Sequence, residues 1–424
     1  MIRGMTLQAI ATELRKKSAW YWVRVSCIAC VGLFLNSWLA GHPPQWMLEL
    51  RLAVYQILSK SGPRTAQIGH LAIVEISDEE YWKGTLAGRR PIKRDYLASV
   101  VKALCDGEAQ VVALDFDLRS PAQDGSLANH PDYQPETDEL AREIRDASVQ
   151  CRIVLPRTLY CPNPPDGKCT REESVLDSYS FDPKRVTWGY INLPTDVRQI
   201  PLRRDNVEAA TIDSFSQAVA AADSPNAFGH LKAIRQFPFG SFISEDLFRA
   251  SKAVLRAQDV LKDGSQNLAA VVGGKTVLVG ASWHSNAFER GPIVDSHVSP
   301  VGSVPGVFIH ANYAAALLDG RAYAPVGEVF TSVVDVVIVG FVAVFFAVPM
   351  VLWQRWCWIV ALAAGLALVS YICWQNFGLF VEATIPAVLL LAHSLLDSYV
   401  KMREELSELR AKLGGPPTAA VIGE

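Results

Sequence analysis

A chain of 424 residues has room for one large domain or two ordinary ones. Half of the residues are hydrophobic, a fifth are charged, and 40 basic against 43 acidic side chains leave a net charge of −3. That balance argues against nucleic acid as a partner, because such binding needs a basic surplus gathered on one face.

The first 18 residues carry Arg3, Arg15, Lys16 and Lys17 and read as a cytoplasmic tail. The apolar run 19–40 follows, long enough to cross a hydrocarbon layer about 30 Å thick as a helix. It reads as an uncleaved anchor: a cut after Ala40 would put Trp38 where a leader peptidase wants a small residue. Residues 41–326 are mixed and polar and form the soluble part, opened by GHPPQ. Within it, 70–78 reads as a buried strand, 94–107 as a helix closed by Gly107, and 111–118 as a second strand. Then come a polar helix over 136–148 and a third strand over 151–156. Strands alternating with helices at this spacing predict an α/β domain, a parallel or mixed sheet with flanking helices. Residues 159–186 look like a long insertion, and 186–194 like an edge strand of antiparallel type. The spacing over 243–264 predicts one helix, capped by Ser244 and stopped by Gly264. A last core strand is expected over 274–282, and a helix of about fourteen residues, too short to span a bilayer, over 305–320.

Three more apolar runs of spanning length follow, 329–350, 356–374 and 380–400, making four transmembrane helices in all. Basic residues lie in the N-terminal tail, at Arg355, and at Lys401, Arg403, Arg410 and Lys412, whereas 375–379 has none. By the positive-inside rule both termini are cytoplasmic and the large domain lies outside. Asp335, Glu382, His393 and Asp397 fall within these runs. Such groups are costly against lipid and should face protein or water, as a polar seam for assembly or relay, although Glu382 and Asp397 can reach the headgroups. In the tail 401–424 and the residue turn before it, Tyr399, Met402, Leu406, Leu409 and Leu413 alternate steps of three and four. That is a heptad seam of two repeats, read either as a partner or oligomer handle or as a solvated amphipathic end.

Glu75, Asp78, Asp115 and Asp117 are acids expected at the carboxyl ends of adjacent parallel strands, the edge where open α/β sheets bind ligands. Asp115 and Asp117, two apart, are expected to share one side and so to share a cation, or else to pair with Arg94 or Arg119. His310 is expected to order the loop before its helix. Together with His284, Asp295 and His297 it tempts a metal reading, but the spacing carries no ligand signature. No G-x-S-x-G, P-loop or H-E-x-x-H motif is present, so neither an enzyme nor a cofactor is expected. Of the eight cysteines, Cys105, Cys151, Cys161 and Cys169 fall in the outer domain, where disulfides persist. Cys161 and Cys169, bracketing PNPPDGK, are the first candidate pair, with free buried thiols as the alternative.

Four segments carry a family likeness: AIVEISDEE at 72–80, RRPIKRDYLASVVKAL at 89–104, AQVVALDFDLRSP at 109–121, and GKTVLVGAS with PGVFIHANYAAALLDGR across 274–321. In order, and with three closing spans, they resemble the type-two CHASE family, the cyclase- and histidine-kinase-associated sensory extracellular domains of bacteria. The resemblance covers roughly 20–400. It implies a sensor of the bacterial inner membrane, its domain periplasmic, passing a signal to a kinase, cyclase or similar output. About 25 residues after the last span leave no room for that output, so a separate cytoplasmic protein is expected to supply it, and a homo-oligomer is expected. The alternative is an oligomeric membrane-perturbing effector or scaffold held in check by a partner.

Overall fold

The computed structural model describes chiefly residues 67–119, 133–160, 170–193, 203–224, 252–287 and 291–318, with short gaps, and scattered positions elsewhere. The chain divides into two compact units, one of Leu52–Pro325 with Trp374–Leu379 and one of Met1–Arg51, Val326–Cys373 and Phe380–Glu424. The first is an α/β domain. The apolar runs 19–40, 329–350, 356–374 and 380–400 lie largely outside the described residues, as do Asp335, Glu382, His393, Asp397, Cys161 and Cys169. Among the described residues no helix is long and apolar enough to cross a membrane.

Six strands form the central sheet: β1 (Leu71–Ile76), β2 (Val111–Asp115), β3 (Arg152–Arg157), β4 (Val186–Tyr190), β5 (Val254–Arg256) and β6 (Thr276–Ala281). Their order is β5-β1-β6-β2-β3-β4, and every pairing is parallel. A parallel sheet is covered on both faces, so its central strands read as near-continuous apolar runs, LAIVEI, VVALD and TVLVGA. Successive side chains take opposite faces. Ala72, Val74, Ile76, Val112, Leu114, Val277 and Val279 point one way. They share a core with Leu97 and Leu104 of α1 (Arg94–Asp106), Leu140 and Ile144 of α2 (Gln134–Ala147), Val260 of α4 (Ala257–Lys262), and Leu268 and Val272 of α5 (Ser265–Val272). Against the other face lie α3 (Phe215–Asp223) and α6 (Gly306–Leu318). A short antiparallel hairpin, β7 (Ser296–Ser299) and β8 (Gly302–Pro305), leads into α6.

Three expectations need correction. The predicted helix 243–264 is broken: Lys252 takes a φ of +56°, and Val254–Arg256 becomes an edge strand beside β1 before α4 begins. Pairing with Ile73, Val74 and Glu75 overrides the local helical spacing. The strand at 186–190 is an edge strand as expected, but parallel to β3. The strands bearing Glu75 and Asp115 are not neighbours, because β6 is inserted between them.

Among the described residues the disulfide is Cys105–Cys151, with Cα atoms 5.5 Å apart. Helix α1 runs back against the strands, so its C-terminal Cys105 arrives at the edge where β3 starts, one residue after Cys151. The bond joins residues 46 apart. Chain-entropy arguments give a loop of that size about 4 kcal/mol. Replacing both cysteines by serine should lower the Tm of the domain by roughly 5–15 °C, and adding reductant to the wild type should lower it as much. Thermal unfolding followed by circular dichroism checks this.

Candidate functional site

Glu75, Gly280 and Asp115 stand in one row across β1, β6 and β2, in register at the carboxyl ends of the strands. In-register residues of a parallel sheet face the same side, so both acids turn toward α3 and α6. Gly280 between them leaves a gap, and the first turn of α6 fills it. A Cβ added there would lie 2.5 Å from the Cβ of Val307. Gly306, where α6 begins, is pressed against the Asp295 carboxylate in the same way and donates its N–H to the Asp295 carbonyl at 2.9 Å.

The two acids find different partners. Glu75 is buried and takes a two-point contact from Arg249 at 2.8 and 2.7 Å, the guanidinium lying 5.9 Å from the centre of the Phe308 ring. Asp115 is buried and lies 3.7 Å from Nε2 of His310, too far for a hydrogen bond. His310, on α6, sits 3.3 Å from the Ile191 carbonyl through Nε2 and 3.1 Å from Ser216 Oγ through Nδ1. A carbonyl only accepts, so Nε2 carries the proton, and Nδ1 accepts from the Ser216 hydroxyl. The Phe215 ring meets the imidazole in a T-shaped contact, with centroids 5.0 Å apart. His310 thus ties α6 to α3 and to the segment after β4.

Burial sets the charge states. It pushes His310 down to about 4, with Asp295 partly opposing and His297 adding, so the ring is neutral near pH 7. Burial raises Asp115 well above the ordinary carboxylate range, and Asp295 raises it further. Asp295, at a φ of +60°, pairs with Nε2 of His297 at 2.8 Å. Glu80, in the helical turn Glu79–Lys83 after β1, is also sealed. Burial raises it to about 7, with Asp259 and Glu75 adding and the Gln258 backbone and Arg256 opposing.

The other sequence candidates are dispersed. Asp117 lies beyond the end of β2, half-exposed, and forms a two-point pair with Arg119, which also reaches Glu172. Asp115 and Asp117 therefore share no cation geometry: the strand ends at Asp115 and its two-residue alternation with it. Asp78 accepts from the His284 backbone N–H at 2.7 Å and meets its Nδ1 at 2.5 Å. Arg94 reaches neither acid. It is buried at the start of α1, donating to Thr137 Oγ1 at 2.7 Å, and its backbone N–H meets Glu136, which Arg89 also holds. His284 and His297 belong to separate pairs, and among the described residues no group of three or more His, Cys, Asp or Glu is arranged to hold a metal ion. Sequence reasoning did not find Ser216, Arg249 or Gly280. Only Gly280 left a trace, as a glycine inside an otherwise apolar strand.

A family model for the CHASE2 domain matches residues 25–349. The chain belongs to the CHASE2 domain family, whose members are sensory extracellular domains. Comparison with curated proteins gave no match. Comparison with solved structures gave none either.

Gly280→Ala should destabilise the domain by about 1–3 kcal/mol, since Val307 must give way, whereas Gly264→Ala, in open space, should not. The pH dependence has two opposed parts. His310 binds its proton more weakly when folded, so stability falls as pH drops from about 6.5 toward about 4. Glu80 binds its proton more tightly when folded, so stability falls as pH rises from about 4.5 through about 7. Glu80→Gln should then raise Tm by a few degrees at pH 8 and by little at pH 4.5, while His310→Gln should flatten the acid limb. Melting curves from pH 4 to 8 read both.

Proposed function

We propose that this chain is a sensor of the bacterial inner membrane. Its α/β domain lies on the periplasmic side, four helices at 19–40, 329–350, 356–374 and 380–400 hold it in the bilayer, and both termini are cytoplasmic. A ligand or periplasmic partner engages the carboxyl edge of the sheet, around Glu75, Asp115 and His310. The signal passes to a separate kinase, cyclase or protease-like protein in the cytoplasm.

One observation carries this reading. Helix α6 is keyed to the carboxyl edge by Gly280, Gly306 and His310, and among the described residues α6 is also the last element of the domain before the apolar run at 329. Anything that displaces the side chains at that edge therefore acts on the segment that enters the bilayer. The requirement is modest, because a ligand that prefers one arrangement by about 1–3 kcal/mol suffices. Two features add support. The Cys105–Cys151 disulfide suits an oxidising compartment. Val360, Leu368, Val369 and Ile372, all helical, leave large apolar side chains exposed, as contact with lipid requires.

Arg171 is exposed and offers trypsin a site. On intact spheroplasts trypsin should remove the domain. Protection there, with cleavage in inverted vesicles, would overturn the topology and the sensor with it. A crosslinker placed in 401–424 should capture a soluble cytoplasmic protein. Loss of membrane potential on overexpression, relieved by Asp335→Ala, would favour a membrane-perturbing effector instead.

A further inference from the structure

The amino ends of the strands gather positive charge that the domain does not neutralise. Arg152 opens β3, and Arg185 immediately precedes β4. The strands pair in parallel with Ile153 beside Val186, and the Ile153 N–H donates to the Arg185 carbonyl at 2.8 Å. The two arginines are thus laid side by side, and Lys184 adds a third cation. Like charges on neighbouring strands repel. Among the described residues none of the three side chains has a carboxylate as ion-pair partner. Arg152 donates to the Ala222 and Asp223 carbonyls that end α3, which fixes its position and leaves its charge. All three cations line a cavity of about 220 Å³ between β4 and α3, and Asp213 is the one acid in its wall. Three cations against one acid leave an excess of two positive charges. Thr187 also lines the cavity, and its hydroxyl, sealed from bulk water, has no hydrogen-bond partner among the described residues. Such a hydroxyl is costly to bury. Arg152 and Arg185 border a larger hollow of about 520 Å³ as well, but there Asp106 and Glu108 balance them.

We propose that the smaller cavity binds a small organic dicarboxylate. The guanidinium fork matches a carboxylate, and the excess of two charges matches two of them. The Thr187 hydroxyl gains the acceptor that the protein does not give it. At ~30 Å³ per water the cavity holds about seven waters, so its occupant has a similar number of non-hydrogen atoms. An inorganic anion would leave most of that volume unused. It would also waste the wall that α3 supplies, which is alanine at 218, 221 and 222 and suits a carbon chain. This is a second site, at the opposite end of the strands from Glu75 and Asp115. The two are joined by α3: its alanines line the cavity, and Ser216 in its first turn meets His310 of α6. A ligand in the cavity therefore bears on the helix that holds α6.

The test is calorimetric titration of the full-length chain in detergent with succinate, propionate and sulfate. Succinate should bind saturably, and propionate and sulfate more weakly. Lys184 and Arg185 are exposed, so their replacement leaves the core alone. Arg185→Gln should weaken succinate by roughly tenfold or more, and Lys184→Gln in the same direction. Thr187→Val should weaken succinate too, yet raise the Tm of the ligand-free protein, which a merely structural hydroxyl would not do. Arg142→Gln, an exposed arginine on α2, should change nothing. Absence of saturable succinate binding, equal affinity for sulfate, or indifference to both Lys184→Gln and Arg185→Gln would overturn the proposal. The binding does not depend on the sensor reading. Failure here with trypsin cleaving from outside removes this site alone, whereas succinate binding by a domain on the cytoplasmic side removes the sensor alone.

Discussion

The arrangement rests on one close approach: α6 seated on a glycine in the central strand. Gly280 stands between two buried acids, and its missing side chain is the space that Val307 occupies. With any larger residue there, α6 would ride higher, and His310 would lose its reach to Ser216 and to the Ile191 carbonyl. A glycine inside a strand weakens the strand, having nothing to pack. Here the cost is offset because a whole helix is brought into contact.

That seat also determines the electrostatics. Glu75 and Asp115 are both withdrawn from water, yet among the described residues only Glu75 has a cation, Arg249. Asp115 faces a neutral imidazole and the nearby Asp295 instead. Burial works against the charged form of each group, raising the Asp115 carboxyl and lowering the His310 imidazole. The α6 interface is thereby held by shape and by neutral hydrogen bonds rather than by an ion pair. Such contacts are each worth about 1 kcal/mol.

The sheet extends this logic. Placing the last strand at its middle puts the final helix over the carboxyl edge, where ligands of open α/β sheets bind. The face away from α6 is covered by four helices and holds one large apolar core. The face that α6 covers and the large apolar core are therefore on opposite sides of the same six strands.

Much of this was legible in the residues. Apolar runs alternating with amphipathic ones announced parallel strands and crossover helices, and the order of four short segments pointed to the family, because both signals are local and repeat along the chain. Tertiary structure decided the rest. Local periodicity cannot say that β6 slips between β1 and β2, that Val254–Arg256 joins β1 instead of continuing a helix, or that Cys105 meets Cys151. Nor can it pair Glu75 with Arg249, 174 residues away, or His310 with Ser216, 94 away. Those choices follow from which surfaces meet once the strands are ordered, and strand order is a property of the assembled sheet.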